Sequence, residues 1–172
     1  SGGYQVYSLS SKRKIEEKGV KFQSHIDGSY HFFTPEYAID IQRIIGADII
    51  MAFDECPPGE ADLEKVETAV NRTSNWMKRC SEWLEKNPEL YNYSQNIFPI
   101  IQGGIDPDLR KQSIEQLIPY VKCGVAIGGL AVGEEKQAMM DTIEFCTEFL
   151  SISQPRYLMG VGKPTDIIKS VR

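Results

Sequence analysis

The chain has 172 residues, 41% hydrophobic and 25% charged, with a net charge of −5 and four cysteines. That length supports one domain with a substantial core, and no apolar run approaches the roughly 20 residues of a membrane-spanning helix. The cysteines (Cys56, Cys80, Cys123 and Cys146) are far apart with no CxxC pair, which predicts neither a disulfide framework nor a zinc knuckle and suits a reducing cytoplasm.

The first 33 residues carry strand-like alternation at residues 5–9 and a solvated charge cluster at residues 12–18. Two short strands at residues 20–23 and 30–33 flank Asp27-Gly28, a hairpin turn signal. This stretch reads as an insertion packed on the main fold. From Thr34 onward, helix and strand signals alternate. Thr34 can cap a helix, Pro35 suits its first turn and Glu36 favours its positive end. Tyr37, Ile41, Ile44 and Ile45 then share a face, and Gly46 closes the element. Residues 47–53 are a short apolar run ending at Asp54, readable as a buried strand.

The pattern repeats. A charged helix runs from about residue 61 to residue 86, stopped by Asn87-Pro88, and residues 97–101 form a strand ending at Gln102-Gly103-Gly104. A helix from Pro107 to about Tyr120, shortened by Pro119, leads to a strand at residues 125–127 ending at Gly128-Gly129. A helix from Glu134 to about Leu150 leads to a strand at residues 156–159 ending at Gly160, and Pro164 starts a last helix. Ser1-Gly2-Gly3 opens without methionine and residues 166–172 stop inside an amphipathic pattern, so both ends are expected to be cut from a longer chain. Four consecutive strand–helix units at residues 34–172 require parallel strands with right-handed crossovers. A doubly wound sheet and part of a (β/α)8 barrel both satisfy this pattern. Asp54, Gln102, Gly129 and Gly160 each follow a strand's C-terminal end, where barrel enzymes assemble their sites, and this favours the barrel.

Each candidate residue has a chemical and a plain structural reading. Asp54 could accept two hydrogen bonds from an N–H pair, act as a general base, or cap a turn. Gln102 could read a planar base or simply make a strand-to-loop turn. Residues 128–134, Gly-Gly-Leu-Ala-Val-Gly-Glu, lack the dinucleotide and Walker A spacings, although free N–H groups there could hold an oxygen ligand. Glu134 is either a first-turn carboxylate favoured by the helix dipole or a partner for a cationic substituent. Tyr4 and Met159 could be core, or walls of a slot for a flat ring. Cys56 is the one cysteine beside a candidate site, and His25 and His31 are too isolated for a metal pair. Trp76 and Trp83, seven residues apart, read as packing.

In order along the chain, these stretches resemble the tRNA-guanine transglycosylase (queuine tRNA-ribosyltransferase) family. The resemblance rests on residues 1–9 (SGGYQVYSL), 24–29 (SHIDGS), 34–36 (TPE), 46–58 (GADIIMAFDECPP), 102–104 (QGG), 128–134 (GGLAVGE) and 157–162 (YLMGVG). It implies a (β/α)8 barrel with a zinc-binding subdomain near its C-terminus, in an enzyme that exchanges a guanine of tRNA for a 7-deazaguanine base without ATP. By position, Asp54 corresponds to the carboxylate that reads the N1/N2 edge of the base, and Gln102 and the Gly129 backbone to the readers of its O6 side. Tyr4 and Met159 correspond to the sandwiching pair, with Gly160 beside Met159. Leu130 and Glu134 correspond to the group that accommodates the substituent on the incoming base. Cys56 and Val132 resemble the bacterial form, which takes 7-aminomethyl-7-deazaguanine (preQ1) at the wobble position.

The same resemblance implies a nucleophilic aspartate that forms a covalent intermediate with the tRNA ribose and lies beyond Arg172. The zinc ligands fall further on, and a second aspartate for proton transfer falls before Ser1. Residues 1–172 are therefore expected to hold the binding half of the pocket and to be inactive alone. A homodimer is the expected assembly of the full-length protein. The acidic balance taken alone argues against a nucleic-acid partner, but the resemblance puts part of the tRNA contact in the C-terminal region. A non-catalytic tRNA-binding homologue or accessory subunit is the alternative, and an unrelated phosphate-binding enzyme a third reading.

Overall fold

Residues 13–171 are described by the structure, a computed structural model of the chain. The expectations for residues 1–12, including Tyr4 and the strand at residues 5–9, lie outside the described residues. Three short strands come first: β1 (Arg13–Glu16), β2 (Gly19–Gln23) and β3 (Tyr30–Phe33), paired antiparallel in the order β1-β2-β3. The register sets Ile15 opposite Val20 and Val20 opposite Phe33. These residues share a face, which packs on the main core with Val20 fully buried. The charged stretch at residues 12–18 is thus strand from Arg13 to Glu16, rather than only a solvated cluster. Ile15 supplies the inward apolar position that its charged neighbours hide in the sequence.

Helix α1 (Pro35–Ile45) starts where Thr34 Oγ1 accepts from the Tyr37 N–H at 3.2 Å, and it ends at Gly46 in the left-handed region, φ 84°. Gln42 reaches from this helix to β4 (Ile49–Met51). Its amide accepts from the Met51 N–H at 2.8 Å and donates to the Met51 carbonyl at 2.9 Å. The side chain therefore does the work of a neighbouring strand along that edge.

Residues 96–101 form one extended run that serves two neighbours in turn. Its first half, β5 (Asn96–Phe98), pairs in parallel with β4, and its second half, β6 (Ile100–Ile101), pairs in parallel with β7 (Val125–Ile127). Pro99 stands between them with no N–H to give, while its carbonyl accepts from the Ala126 N–H at 2.8 Å. Strand β8 (Arg156–Leu158) pairs in parallel with β7. Helices α2 (Leu63–Lys86), α3 (Pro107–Leu117), α4 (Lys136–Glu148) and α5 (Pro164–Val171) follow these strands, each packed on the next. The strands thus lie in chain order, without the reversal that defines a doubly wound sheet. The α3 helix gives way to a 3₁₀ turn at Ile118–Tyr120, because Pro119 cannot continue the hydrogen-bond ladder.

The core is organised by α2, whose Val66, Ala69, Val70, Thr73, Trp76, Met77 and Cys80 recur at helical spacing and are all buried. Trp76 stacks on Phe53 with ring centroids 4.7 Å apart, and its Nε1–H donates to the Glu17 carbonyl at 2.8 Å, tying the β1–β2 turn to the core. Arg79 adds a second tie, donating through Nε and Nη2 to both Glu36 carboxylate oxygens at 2.7 and 2.8 Å. Among the described residues no helix is long and apolar enough to cross a membrane.

Two predictions follow from this packing. Trp76→Ala removes a fully buried ring and the Glu17 tie, and should lower unfolding free energy by about 3–5 kcal/mol in denaturant titration; a loss below about 1 kcal/mol would mean that the stack does not organise the core. The second concerns the thiols. Cys56, Cys80 and Cys146 are buried and Cys123 is exposed. Burial pushes Cys56 and Cys80 up to about 12 and also raises Cys146. Because the thiolate is the reactive form, one thiol, Cys123, should titrate with a disulfide reagent at pH 8 in the folded chain. The other three should react only after unfolding, and rapid modification of a second thiol would contradict the burial described.

Candidate functional site

The C-terminal ends of the parallel strands converge. Asp54 follows β4, Gln102 follows β6, Gly128 and Gly129 follow β7, and Met159 and Gly160 follow β8. A cavity of about 500 Å³ opens there, lined by Asp54, Cys56, Gly129, Leu130, Met159 and Gly160 together with Met51, Gly128, Ala131, Val132 and Tyr157. Six of the residues proposed from the sequence therefore share one cavity wall. Gln102 stands behind that wall and Glu134 braces its rim. Tyr4 lies outside the described residues.

Asp54 is 4% exposed and Gln102 is 1% exposed, and Gln102 Nε2 donates to Asp54 Oδ2 at 2.8 Å. An ionised carboxylate can only accept, so this contact fixes which end of the Gln102 amide faces Asp54. The Gln102 carbonyl oxygen is left pointing at Gly129, where a Cβ would come within 2.3 Å of it. It accepts no hydrogen bond among the described residues. Gly129 also has φ +65°, so position 129 needs glycine for both its backbone and its space. The Gln102 backbone is held as well, its N–H donating to Ser113 Oγ at 3.1 Å.

The loop after Gly129 is shaped by Glu134. Its Oε1 accepts from the Ala131 N–H in a short hydrogen bond, and its Oε2 accepts from the Val132 N–H at 2.9 Å. Ala131 sits at φ 59°, a left-handed conformation that costs a non-glycine residue about 1–2 kcal/mol, and the carboxylate clamp holds it there. Glu134 accordingly lies outside helix α4, whose N-cap is Glu135. The first-turn dipole role considered for Glu134 is replaced by a loop-bracing one. Cys56 lines the cavity as a neutral wall, its thiol raised chiefly by burial and further by the Asp54 charge.

Arg110 was not among the residues singled out from the sequence. It lies on α3 with 0% exposure, directly behind the strand ends. Its Nε donates to the Gly104 carbonyl at 2.7 Å and its Nη1 to the carbonyls of Ile101 and Gly128 at 3.0 and 2.8 Å. Its Nη2 reaches the Gly129 carbonyl at 3.3 Å. The signal was present in the spacing, because Arg110, Ser113, Ile114 and Leu117 recur at helical intervals and are all buried. A sequence pattern counts arginine as solvated, so the stripe reads as weak. Met51 and Tyr157, also on the cavity wall, lie inside two of the stretches that carry the resemblance, residues 46–58 and 157–162, but were given no role of their own.

The whole chain, residues 1–172, matches the family model described as queuine tRNA-ribosyltransferase. It is 52% identical over 171 residues to the queuine tRNA-ribosyltransferase of Halothermothrix orenii, covering 99% of this chain and 44% of that protein. The same identity and coverage hold for the one from Thermoanaerobacter sp. strain X514. The Deinococcus radiodurans protein of that name is 46% identical over 171 residues, with 42% of its length covered. The chain thus spans less than half the length of these relatives. A match along all of its residues, at about half identity, shows that the chain belongs to the queuine tRNA-ribosyltransferase family.

Proposed function

We propose that this chain is the base-reading part of a tRNA-guanine transglycosylase that exchanges guanine at the tRNA wobble position for preQ1 in queuosine biosynthesis. The observation that carries this reading is the buried Asp54 carboxylate, held 2.8 Å from the Gln102 amide at the wall of a 500 Å³ cavity. Guanine presents two kinds of edge. Its N1–H and N2–H groups need an acceptor, which Asp54 provides. Its O6 needs donors, which the second Gln102 N–H and the Gly129 backbone provide. Met159 gives one apolar face, and the stacking partner assigned to the other face is Tyr4. Leu130 and the Glu134-braced loop accommodate the 7-substituent, and Cys56, a small neutral wall, suits the bacterial form. Sites built this way discriminate strongly, because a wrong ligand leaves buried polar groups unpaired.

In this reading the four strand–helix units are a segment of a (β/α)8 barrel, supported by the chain-order sheet and the successively packed helices. The chemistry needs an aspartate oxygen to attack the anomeric carbon of the ribose and release guanine, after which the incoming base displaces that aspartate. The family resemblance assigns this aspartate to a position outside residues 1–172. Among the described residues no group of His, Cys, Asp and Glu could hold a metal ion, so residues 13–171 do not fit the family's zinc and no step here runs through it. A cytoplasmic homodimer acting on tRNA is the proposed setting.

The test is incorporation of labelled guanine into tRNA by the full-length protein, by its Asp54→Asn variant, and by the 172-residue chain alone. Asparagine would turn an N–H toward the N–H groups of the base, so kcat/KM should fall about 100-fold, the loss expected for a charged hydrogen bond. An unimpaired variant would remove Asp54 from its role. No exchange is expected from the 172-residue chain, and exchange by it would overturn the assignment of the nucleophile. A folded full-length protein that exchanges nothing would point to the non-catalytic homologue.

A further inference from the structure

Arg110 is not among the residues that line the cavity, yet it is fully buried at the point where β6 and β7 deliver Gln102 and Gly129. Burying a guanidinium is costly unless its donors are satisfied. Here all the hydrogen bonds go to backbone carbonyls: Gly104 at 2.7 Å, Gly128 at 2.8 Å, Ile101 at 3.0 Å and Gly129 at 3.3 Å. None of the ion pairs among the described residues includes Arg110.

These acceptors decide where other groups point. In a trans peptide the C=O and the following N–H are antiparallel, and the described residues contain no cis peptide bond. Drawing the Gly128 carbonyl toward Arg110 therefore turns the Gly129 N–H away from it. Drawing the Gly129 carbonyl the same way does this to the Leu130 N–H. Both residues line the cavity. The bond to Ile101 holds the carbonyl immediately before Gln102, whose own N–H is tied to Ser113 Oγ on the same face of α3.

We infer that Arg110 is a positioning residue for base recognition: its guanidinium fixes the Gly128–Gly129 and Gly129–Leu130 peptide planes, and so aims the backbone donors that read the 6-oxo group. This rests on the reading of the cavity as a guanine site. It predicts selectivity as well as stability, because a loosened peptide pair loses its grip on an oxo group while leaving the Asp54 side in place.

The experiment uses the full-length protein, Arg110→Met, which keeps bulk without donors, and Arg110→Lys, whose ammonium cannot span all four carbonyls. The inhibition constants of 7-deazaguanine and of 2-amino-7-deazapurine, which lacks the 6-oxo group, are measured against guanine exchange. The wild type should favour 7-deazaguanine. In Arg110→Met that preference should shrink about tenfold, as expected for one or two weakened hydrogen bonds, with KM for guanine rising more than kcat falls. Arg110→Lys should lie between the two. Should Arg110→Met fail to fold, the lysine variant decides, and a preference within about twofold of wild type in a folded Arg110→Lys overturns the inference. An equal weakening of both ligands, with a lowered melting temperature, would also overturn it and leave Arg110 a purely structural residue. If the wild type itself binds neither ligand, the guanine-site reading fails and takes the inference with it, an outcome distinct from an unchanged ratio.

Discussion

A parallel sheet leaves a problem at its C-terminal edge, where the last carbonyls of each strand run past the ladder with no strand partner. Here one side chain serves several carbonyls at and beyond the strand ends, including that of Ile101, which also accepts from the Gly128 N–H at 3.0 Å. The Arg110 guanidinium spreads over the carbonyls of Ile101, Gly104, Gly128 and Gly129, which come from two neighbouring strand ends. Its planar fork of donors suits this, whereas a lysine ammonium offers a single point. The ends of the paired strands β6 and β7 are thereby tied together beyond their last ladder bond, and the residues that continue from them, Gln102 and Gly129, meet closely. None of the ion pairs among the described residues includes Arg110. Burial lowers the arginine's proton affinity, and the guanidinium nonetheless stays a cation, as arginine does in proteins.

The same constraint explains why glycine is concentrated here. With Gln102 buried between the two β7-end glycines, a Cβ at Gly128 would sit 2.7 Å from Ile100 Cγ2 and one at Gly129 would sit 2.3 Å from Gln102 Oε1. The amide could not stay in place against any larger residue. The loop then continues through Ala131 at φ 59° and is closed by Glu134, whose carboxylate takes two consecutive backbone N–H groups. The backbone of residues 128–132 on the cavity wall is thus held on one side by a buried cation and on the other by a carboxylate.

This division sets what could be read in the sequence. Helix starts were legible because capping is local chemistry: Thr34 and Pro35 at α1 act within one turn of the chain. The strand ends were legible because glycine and amide residues interrupt apolar runs. The β1 strand was not, since a single inward isoleucine among Arg13, Lys14 and Glu16 gives too short an alternation to stand out from solvated charge. The split of residues 96–101 by Pro99 depends on which neighbour each half meets, a tertiary fact. Arg110 escaped for the same reason: a buried arginine and an exposed one have the same letter, and only its carbonyl partners, up to 19 residues away, tell them apart. The pairing of Asp54 with Gln102 spans 48 residues and is equally non-local.

A net charge of −5 sits awkwardly beside a tRNA partner if affinity must come from phosphate neutralisation. The cavity suggests a different division of labour. A base exchanged by an enzyme has to leave its stack, and a flipped base is read through its edges and faces. Edge reading needs an acceptor, a donor amide and oriented backbone N–H groups, and none of these adds positive charge. Arg110 is fully buried and engaged with carbonyls, so it contributes direction to the peptide groups and no basic surface. In the proposed reading, none of the groups that read the base needs to add positive charge, so a net charge of −5 is compatible with it.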